Sequence, residues 1–207
     1  MRWVRLKVCG ITSAEDARAA ISGGADALGF VLAGGPRQVT PEHLKTLTAN
    51  LPPLVTRVGV FANHELGEVE RILRECGIDR AQLHGDEDPA FVRSLGGRAY
   101  KAFRLRDGQD GMIEEIGRYP SGTVLLDAHV EGQLGGTGKT CDWSLAARVA
   151  ARTPVILAGG LRPDNVVEAI RIVQPWAVDL SSGVERRPGE KDPAKLRELS
   201  HALDRSG

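Results

Sequence analysis

Several things are scarce in this chain of 207 residues. It has three cysteines, two methionines, three asparagines, no surplus of charge and no long apolar run. Cys9, Cys76 and Cys141 lie far apart and form no C-x-x-C pair, so no disulfide framework is indicated and cysteine ligation of a metal is disfavoured. Lys plus Arg is 27 and Asp plus Glu is 27, a formal net charge of zero. A nucleic acid or anionic membrane partner usually needs a basic surface, so neither is expected. No apolar run approaches the ~20 residues of a membrane span. The start, Met1-Arg2-Trp3-Val4-Arg5, lacks the apolar core and cleavage site of a signal peptide. A cytoplasmic protein is the expectation. Arg outnumbers Lys 21 to 6; with so few Asn and Met this hints at a heat-adapted source, though codon composition gives the same bias.

Glycine is plentiful, 25 residues, and mostly punctuates. Val4 to Cys9 reads as a strand, and Ser13 caps a helix over 14–22, with Asp16 three residues on. Gly23-Gly24 ends that helix. Ala27 to Leu32 is a second strand, and Thr40-Pro41-Glu42 opens a helix with proline at its first position. Leu54 to Phe61 is a strand, Glu65 to Cys76 a helix, Arg80 to Leu83 a strand, and a short helix follows Asp88-Pro89. Later strands are Arg98 to Phe103, Gly122 to Asp127, Pro154 to Ala158 and Trp176 to Leu180. Their helices run from Gly111 to Arg118, from a cap at Asp142 to Ala151, from Pro163-Asp164 onward, and from Asp192-Pro193 to Leu203.

Strand and helix alternate about eight times, with no linker and no second composition regime. Repeated βα units imply a parallel sheet. Eight of them close into an α/β single-domain (β/α)8 TIM barrel over residues 1–207. The usual size of that fold is ~250 residues, so helices and loops must be lean. An open doubly wound sheet is the alternative, but its glycine fingerprint should follow the first strand. Cys9-Gly10-Ile11-Thr12 stands there instead.

In such a barrel the working groups collect at the C-terminal ends of the strands. The polar residues there are Cys9, Gln82 with His84, Asp127, and Asp179 with Ser181 and Ser182. Lys7 and Cys9 share one face of their strand, and a cation beside a thiol favours the thiolate. A lone cysteine is otherwise commonly inert core. Asp127, ending an apolar strand, is either a capping residue or a working acid. His84 is either a base or a strand-end hydrogen-bonding residue. The other histidines, His43, His64, His129 and His201, have no ligand spacing, and no metal site is expected.

Two glycine-bearing loops follow the seventh and eighth strands: Ala158-Gly159-Gly160-Leu161 and Asp179-Leu180-Ser181-Ser182-Gly183-Val184-Glu185. In barrels these positions often make a phosphate site, since exposed backbone N–H groups attract an anion. Glycines in tight turns are the plainer alternative. The loop Leu134 to Thr140 ends in Gly-Lys-Thr, but a P-loop needs its first glycine at position 133, where Gln133 stands. A lid over an anionic substrate suits Lys139 better. Arg37 follows the second strand. If it faces the barrel mouth, its planar fork suits a carboxylate.

Taken in order, Lys7-Val8-Cys9-Gly10, Pro36-Arg37, Gln82-Leu83-His84-Gly85, Leu126-Asp127, Gly135 to Thr140 with Asp142-Trp143, Ala158 to Leu161 and Asp179 to Glu185 carry a resemblance. Nearly end to end, the chain resembles the phosphoribosylanthranilate isomerases of tryptophan biosynthesis. Gly35 departs from the pattern, where relatives usually have Ser, which bears on the local loop only. The resemblance implies an Amadori rearrangement of N-(5-phospho-β-D-ribosyl)anthranilate to 1-(2-carboxyphenylamino)-1-deoxy-D-ribulose 5-phosphate. It implies Asp127 as general acid and Cys9 as general base. Arg37 would hold the anthranilate carboxylate, His84 would line the anthranilate side, and Asp179 would contact sugar hydroxyls. Lys7 and Gln82 complete the substrate-binding set. Gly159, Gly160, Ser181, Ser182 and Gly183 would hold the phosphate. The partner is a small phosphorylated substrate, no cofactor is implied, and the protein is a monomer or a homodimer.

The chemistry sets its own demands. Ring opening needs a proton donor, so Asp127 should lie above the ordinary aspartate value of ~3.9 through partial burial. Proton abstraction needs a thiolate, so Cys9 should have Lys7 or another cation nearby. Opposed environments of this kind separate acid from base. Two rivals remain: a dual-substrate relative that also accepts a histidine-pathway aminoaldose, and a phosphate-binding barrel without chemistry. The first characteristically has an aspartate where Cys9 stands; the second has no use for both Cys9 and Asp127.

Overall fold

The computed structural model describes residues 4–105, 111–128 and 143–204. The expected glycine lid with Lys139, the cap at Asp142, His129 and Cys141 lie outside them. Eight strands follow one another around a closed barrel: β1 (Arg5–Cys9), β2 (Ala27–Val31), β3 (Thr56–Phe61), β4 (Arg80–Leu83), β5 (Ala99–Arg104), β6 (Val124–Asp127), β7 (Val155–Ala158) and β8 (Ala177–Leu180). All neighbours are parallel, and β1 closes against β8 with Lys7 opposite Asp179. Between and after them run α1 (Ala14–Ser22), α2 (Pro41–Ala49), α3 (Leu66–Glu75), α4 (Pro89–Ser94), α5 (Met112–Ile116), α6 (Trp143–Ala150), α7 (Val166–Val173) and α8 (Pro193–Asp204). The expected (β/α)8 barrel is the observed fold.

Strand alternation sorts the side chains into two layers. Leu6, Val8, Leu28, Phe30, Leu126 and Leu157 belong to the core between strands and helices. Each such wholly covered side chain contributes roughly 1.5–3 kcal/mol. Inside the barrel, Val58, Tyr100, Ala102, Leu125, Ile156 and Ala177 form a second, smaller cluster. The polar Lys7, Gln82 and Asp179 are also buried, a cost unless each finds a partner.

Local chemistry starts the helices where expected. Ser13 Oγ accepts from the Asp16 N–H at 3.0 Å, and the Asp88 carboxylate accepts from the Phe91 N–H at 2.8 Å. These side chains satisfy donors that a helix N-terminus leaves unpaired. The seventh helix departs from expectation: it begins at Val166, not at Pro163-Asp164. Asn165 accounts for the delay. Its amide accepts from the Arg162 N–H (2.8 Å) and donates to the Gly160 carbonyl (3.1 Å). That holds residues 160–165 as a turn. Sequence reading also missed a hairpin after β8, formed by β9 (Glu185–Arg187) and β10 (Glu190–Lys191), which turns at Gly189 and returns Lys191 opposite Glu185.

Candidate active site

The C-terminal rim of the barrel gathers the candidate residues. Lys7 Nζ lies 2.6 Å from Asp179 Oδ2, with both side chains almost fully buried. Burial alone would pull the Lys7 ammonium down, but the carboxylate beside it outweighs this and holds it above its ordinary value. Burial pushes the Asp179 carboxyl up, against the downward pull of the Lys7 ammonium. Among the described residues Asp179 Oδ1 has no hydrogen-bond partner, which leaves one acceptor for a ligand hydroxyl.

Cys9, two residues along β1, is buried beside the Lys7 ammonium. Gly29 faces it across β2, and a Cβ there would stand 2.7 Å from Cys9 Sγ and 3.0 Å from Lys7 Nζ. Lys7 does pull the Cys9 thiol down, as expected, but it does not set the balance. Burial pushes the Cys9 thiol up, Lys7 pulls down, Asp179 pushes up again, and Lys191 pulls down; the balance is upward. Lys7 is already neutralised by Asp179, so its pull cannot win against desolvation.

Arg37 also differs from expectation. Its fork is not free: Nε donates to Glu185 Oε1 (2.9 Å) and Nη2 to Glu185 Oε2 (2.7 Å). Lys191 donates to the same Oε1 at 2.8 Å. Burial would raise the Glu185 carboxyl, but Arg37 and Lys191 outweigh it and hold it below its usual range. Two cations share one carboxylate, so this group leaves a net positive charge at the Cys9 end of the barrel.

Across the mouth, His84 Nε2 stands 3.4 Å from Asp127 Oδ2, both side chains partly exposed. His84 Nδ1 lies 3.3 Å from Gln82 Nε2. Gln82 is only 2% exposed and is placed behind His84, not on an open binding surface. A cavity of about 570 Å³ opens here, with Asn63, His84, Lys101, Phe103 and Tyr119 in its wall. A second cavity of about 630 Å³ lies at the opposite, N-terminal end, around Leu54 and Trp176, away from the rim that carries the candidate residues.

The two glycine loops do come together. Gly159 and Gly160 take φ of +91° and +65°, and Ser182–Val184 form a single 3-10 turn. Gly183 packs directly on the Leu161 carbonyl, where a Cβ would collide. That position is therefore structural as well as a candidate phosphate contact. Sequence reasoning gave no role to Tyr100, Glu185 or Lys191. Tyr100 was detectable: strand alternation puts it inward with Ala102. The Lys191 contact had no local signal, because it depends on the hairpin. Among the described residues no cluster of three or more His, Cys, Asp or Glu side chains is placed to hold a metal ion. None of their helices is long and apolar enough to cross a membrane.

Fold and rim together define a (β/α)8-barrel enzyme with its polar groups at the strand C-termini. The family model described as N-(5'-phosphoribosyl)anthranilate (PRA) isomerase matches residues 6–202. A relative of that name from Geobacter metallireducens is 49% identical over 197 residues, covering 95% of this chain and 96% of the relative. The crystal structure of phosphoribosylanthranilate isomerase from Thermotoga maritima superposes with a TM-score of 0.87 at 38% identity, covering 97% of this chain and 98% of that one. Another solved isomerase is in complex with reduced 1-(o-carboxyphenylamino)-1-deoxyribulose 5-phosphate; it has a TM-score of 0.85 and 36% identity, with 97% and 98% covered. The chain belongs to the phosphoribosylanthranilate isomerase family and is an isomerase of tryptophan biosynthesis.

Proposed function

We propose that Asp127 and Cys9 carry the rearrangement of N-(5-phospho-β-D-ribosyl)anthranilate as general acid and general base. Asp127 protonates the furanose ring oxygen. The C1–O bond breaks with its electron pair going to that oxygen, while the anthranilate nitrogen lone pair forms the C=N of a Schiff base. Cys9 then removes the proton from C2, giving an enolamine that tautomerises to the 2-ketone. Only protons move and no electrons leave the substrate, so the chemistry needs no cofactor. The observation that carries this reading is the placement of a buried thiol on β1 and a partly exposed carboxylate on β6 at the same rim.

The remaining groups bind and orient. Gly159, Gly160, Ser181, Ser182 and Gly183 take the phosphate. The Oδ1 oxygen of Asp179, held in place by Lys7, takes a sugar hydroxyl. Arg37 keeps its side edge on Glu185 and offers its end-on Nη1–Nη2 edge to the anthranilate carboxylate; His84 lines the same side, with Gln82 behind it. All these residues lie on one barrel, so the chain works as a single catalytic domain. Cys9 and Cys76 are free thiols, and a thiol base works best in a reducing compartment, which supports a cytoplasmic enzyme.

Loss of anthranilate fluorescence on conversion tests the reading. Asp127→Asn and Cys9→Ala should each lower kcat by about 10²–10⁴ while product still binds. Turnover near that of the wild type in either variant would falsify the assigned pair.

A further inference from the structure

A line of four polar side chains runs from the barrel interior to Asp127. The Tyr100 hydroxyl on β5 donates to Gln82 Oε1 at 3.0 Å. The two residues are in register on neighbouring strands. Gln82 Nε2 reaches His84 Nδ1 at 3.3 Å, and His84 Nε2 reaches Asp127 Oδ2 at 3.4 Å. Tyr100 is 8% exposed and Gln82 2%, so solvent does not complete their hydrogen bonds.

This line has a direction. The buried phenol needs an acceptor for its proton. Lys7, which also acts on it, is a donor and offers none. Asp179 Oδ1 makes no hydrogen bond with it. Gln82 Oε1 is the acceptor within reach, which fixes which end of the amide faces Tyr100. The NH₂ end then faces His84, so Nδ1 must present a lone pair. The imidazole proton is left on Nε2, the ring nitrogen that lies 3.4 Å from Asp127 Oδ2. An amide orientation and a tautomer are assigned here from a hydrogen-bond network, as they must be.

We propose that Tyr100 and Gln82 are positioning residues that hold His84 in its Nε2–H tautomer, so that this N–H receives the Asp127 carboxylate formed when the acid gives up its proton. The inference rests on the reading of Asp127 as the acid. No proton travels along the line. Asp127 gives its proton to the ring oxygen, the C1–O pair goes to that oxygen, and the new carboxylate charge is met by a donor already in place. A hydrogen bond to a charged group strengthens as the charge develops, which favours the transition state over the bound substrate.

The test combines ¹⁵N NMR of histidine-labelled protein with steady-state turnover. His84 is assigned by its disappearance in His84→Gln. The wild type should show a protonated Nε2 and an unprotonated Nδ1. Tyr100→Phe keeps the ring but frees the amide to turn, so the two His84 resonances should move toward each other and kcat should fall severalfold at unchanged KM. Gln82→Glu keeps the shape but places an acceptor at Nδ1, so the proton should move to Nδ1 and kcat should fall about tenfold or more. A wild-type proton on Nδ1, or an unchanged His84 signature in both variants, overturns the proposal. The tautomer is read without substrate. If it behaves as stated while Asp127→Asn still turns over, the assignment of the acid fails, not the orientation of His84.

Discussion

Replacing Glu185 by Gln removes the one carboxylate that joins Arg37 to Lys191. Its side chain is 3% exposed and that of Lys191 is fully covered. Glu185 accepts from Lys191 Nζ at 2.8 Å, from Arg37 at 2.9 and 2.7 Å, and from the Gly189 N–H at 3.3 Å. At 2.8 Å the attraction between unit charges is about 6 kcal/mol for an effective dielectric constant near 20, before desolvation. Removing one member of a buried pair costs about 3–5 kcal/mol net, because the other charge stays behind unpaired. Here an amide NH₂ would also face a cation's donors. For a domain of this size 1 kcal/mol moves Tm by about 2–4 °C, so Glu185→Gln should lower Tm by roughly 6–20 °C. Adding Lys191→Met removes the stranded ammonium and should recover part of the loss, a coupling that a double-mutant cycle measures. The effect has a pH window. The Glu185 carboxyl is held below its usual range, so its contribution is full above the unfolded value of ~4.3 and fades as pH falls through the folded value. Wild type and Glu185→Gln should therefore converge in strong acid. A Tm change under about 2 °C at pH 7, or a double variant less stable than the single, refutes the reasoning.

Two further outcomes follow from the site. Burial pushes the Cys9 thiol above its ordinary value, so alkylation of Cys9 should be slow at pH 7 and accelerate only in the alkaline range. Since the base must be deprotonated, the rising limb of kcat/KM should be displaced to high pH as well; alkylation as fast at pH 7 as at pH 9 contradicts this. Gly183→Val should lower Tm by several degrees in the absence of ligand, because its Cβ meets the Leu161 carbonyl and backbone must move, at about 1–3 kcal/mol or more. An unchanged Tm with weakened phosphate affinity would make Gly183 a ligand contact alone.

Signals that act within a few residues were legible in the sequence. Ser13, Thr40 and Asp88 announce their helices because a cap needs a side-chain oxygen within three residues of the N–H groups it satisfies. Alternation of apolar residues announces the strands, and eight repeats of one unit announce the barrel. Asp164 misled for the same local reason: Pro163-Asp164 is a good helix start, but Asn165 ties the turn to Gly160 and Arg162 first.

The sequence by itself therefore determined the βα order, the caps and which side chains stand at the strand ends. Tertiary structure decided what those side chains meet. Lys7 and Asp179 are 172 residues apart, and Arg37 and Glu185 are 148 apart; barrel closure and the β9–β10 hairpin bring these groups together. Whether a thiol is raised or lowered, whether a guanidinium is free or committed, and which way an amide turns depend on burial and on charges within a few ångströms. Those distances exist only once the ring has closed.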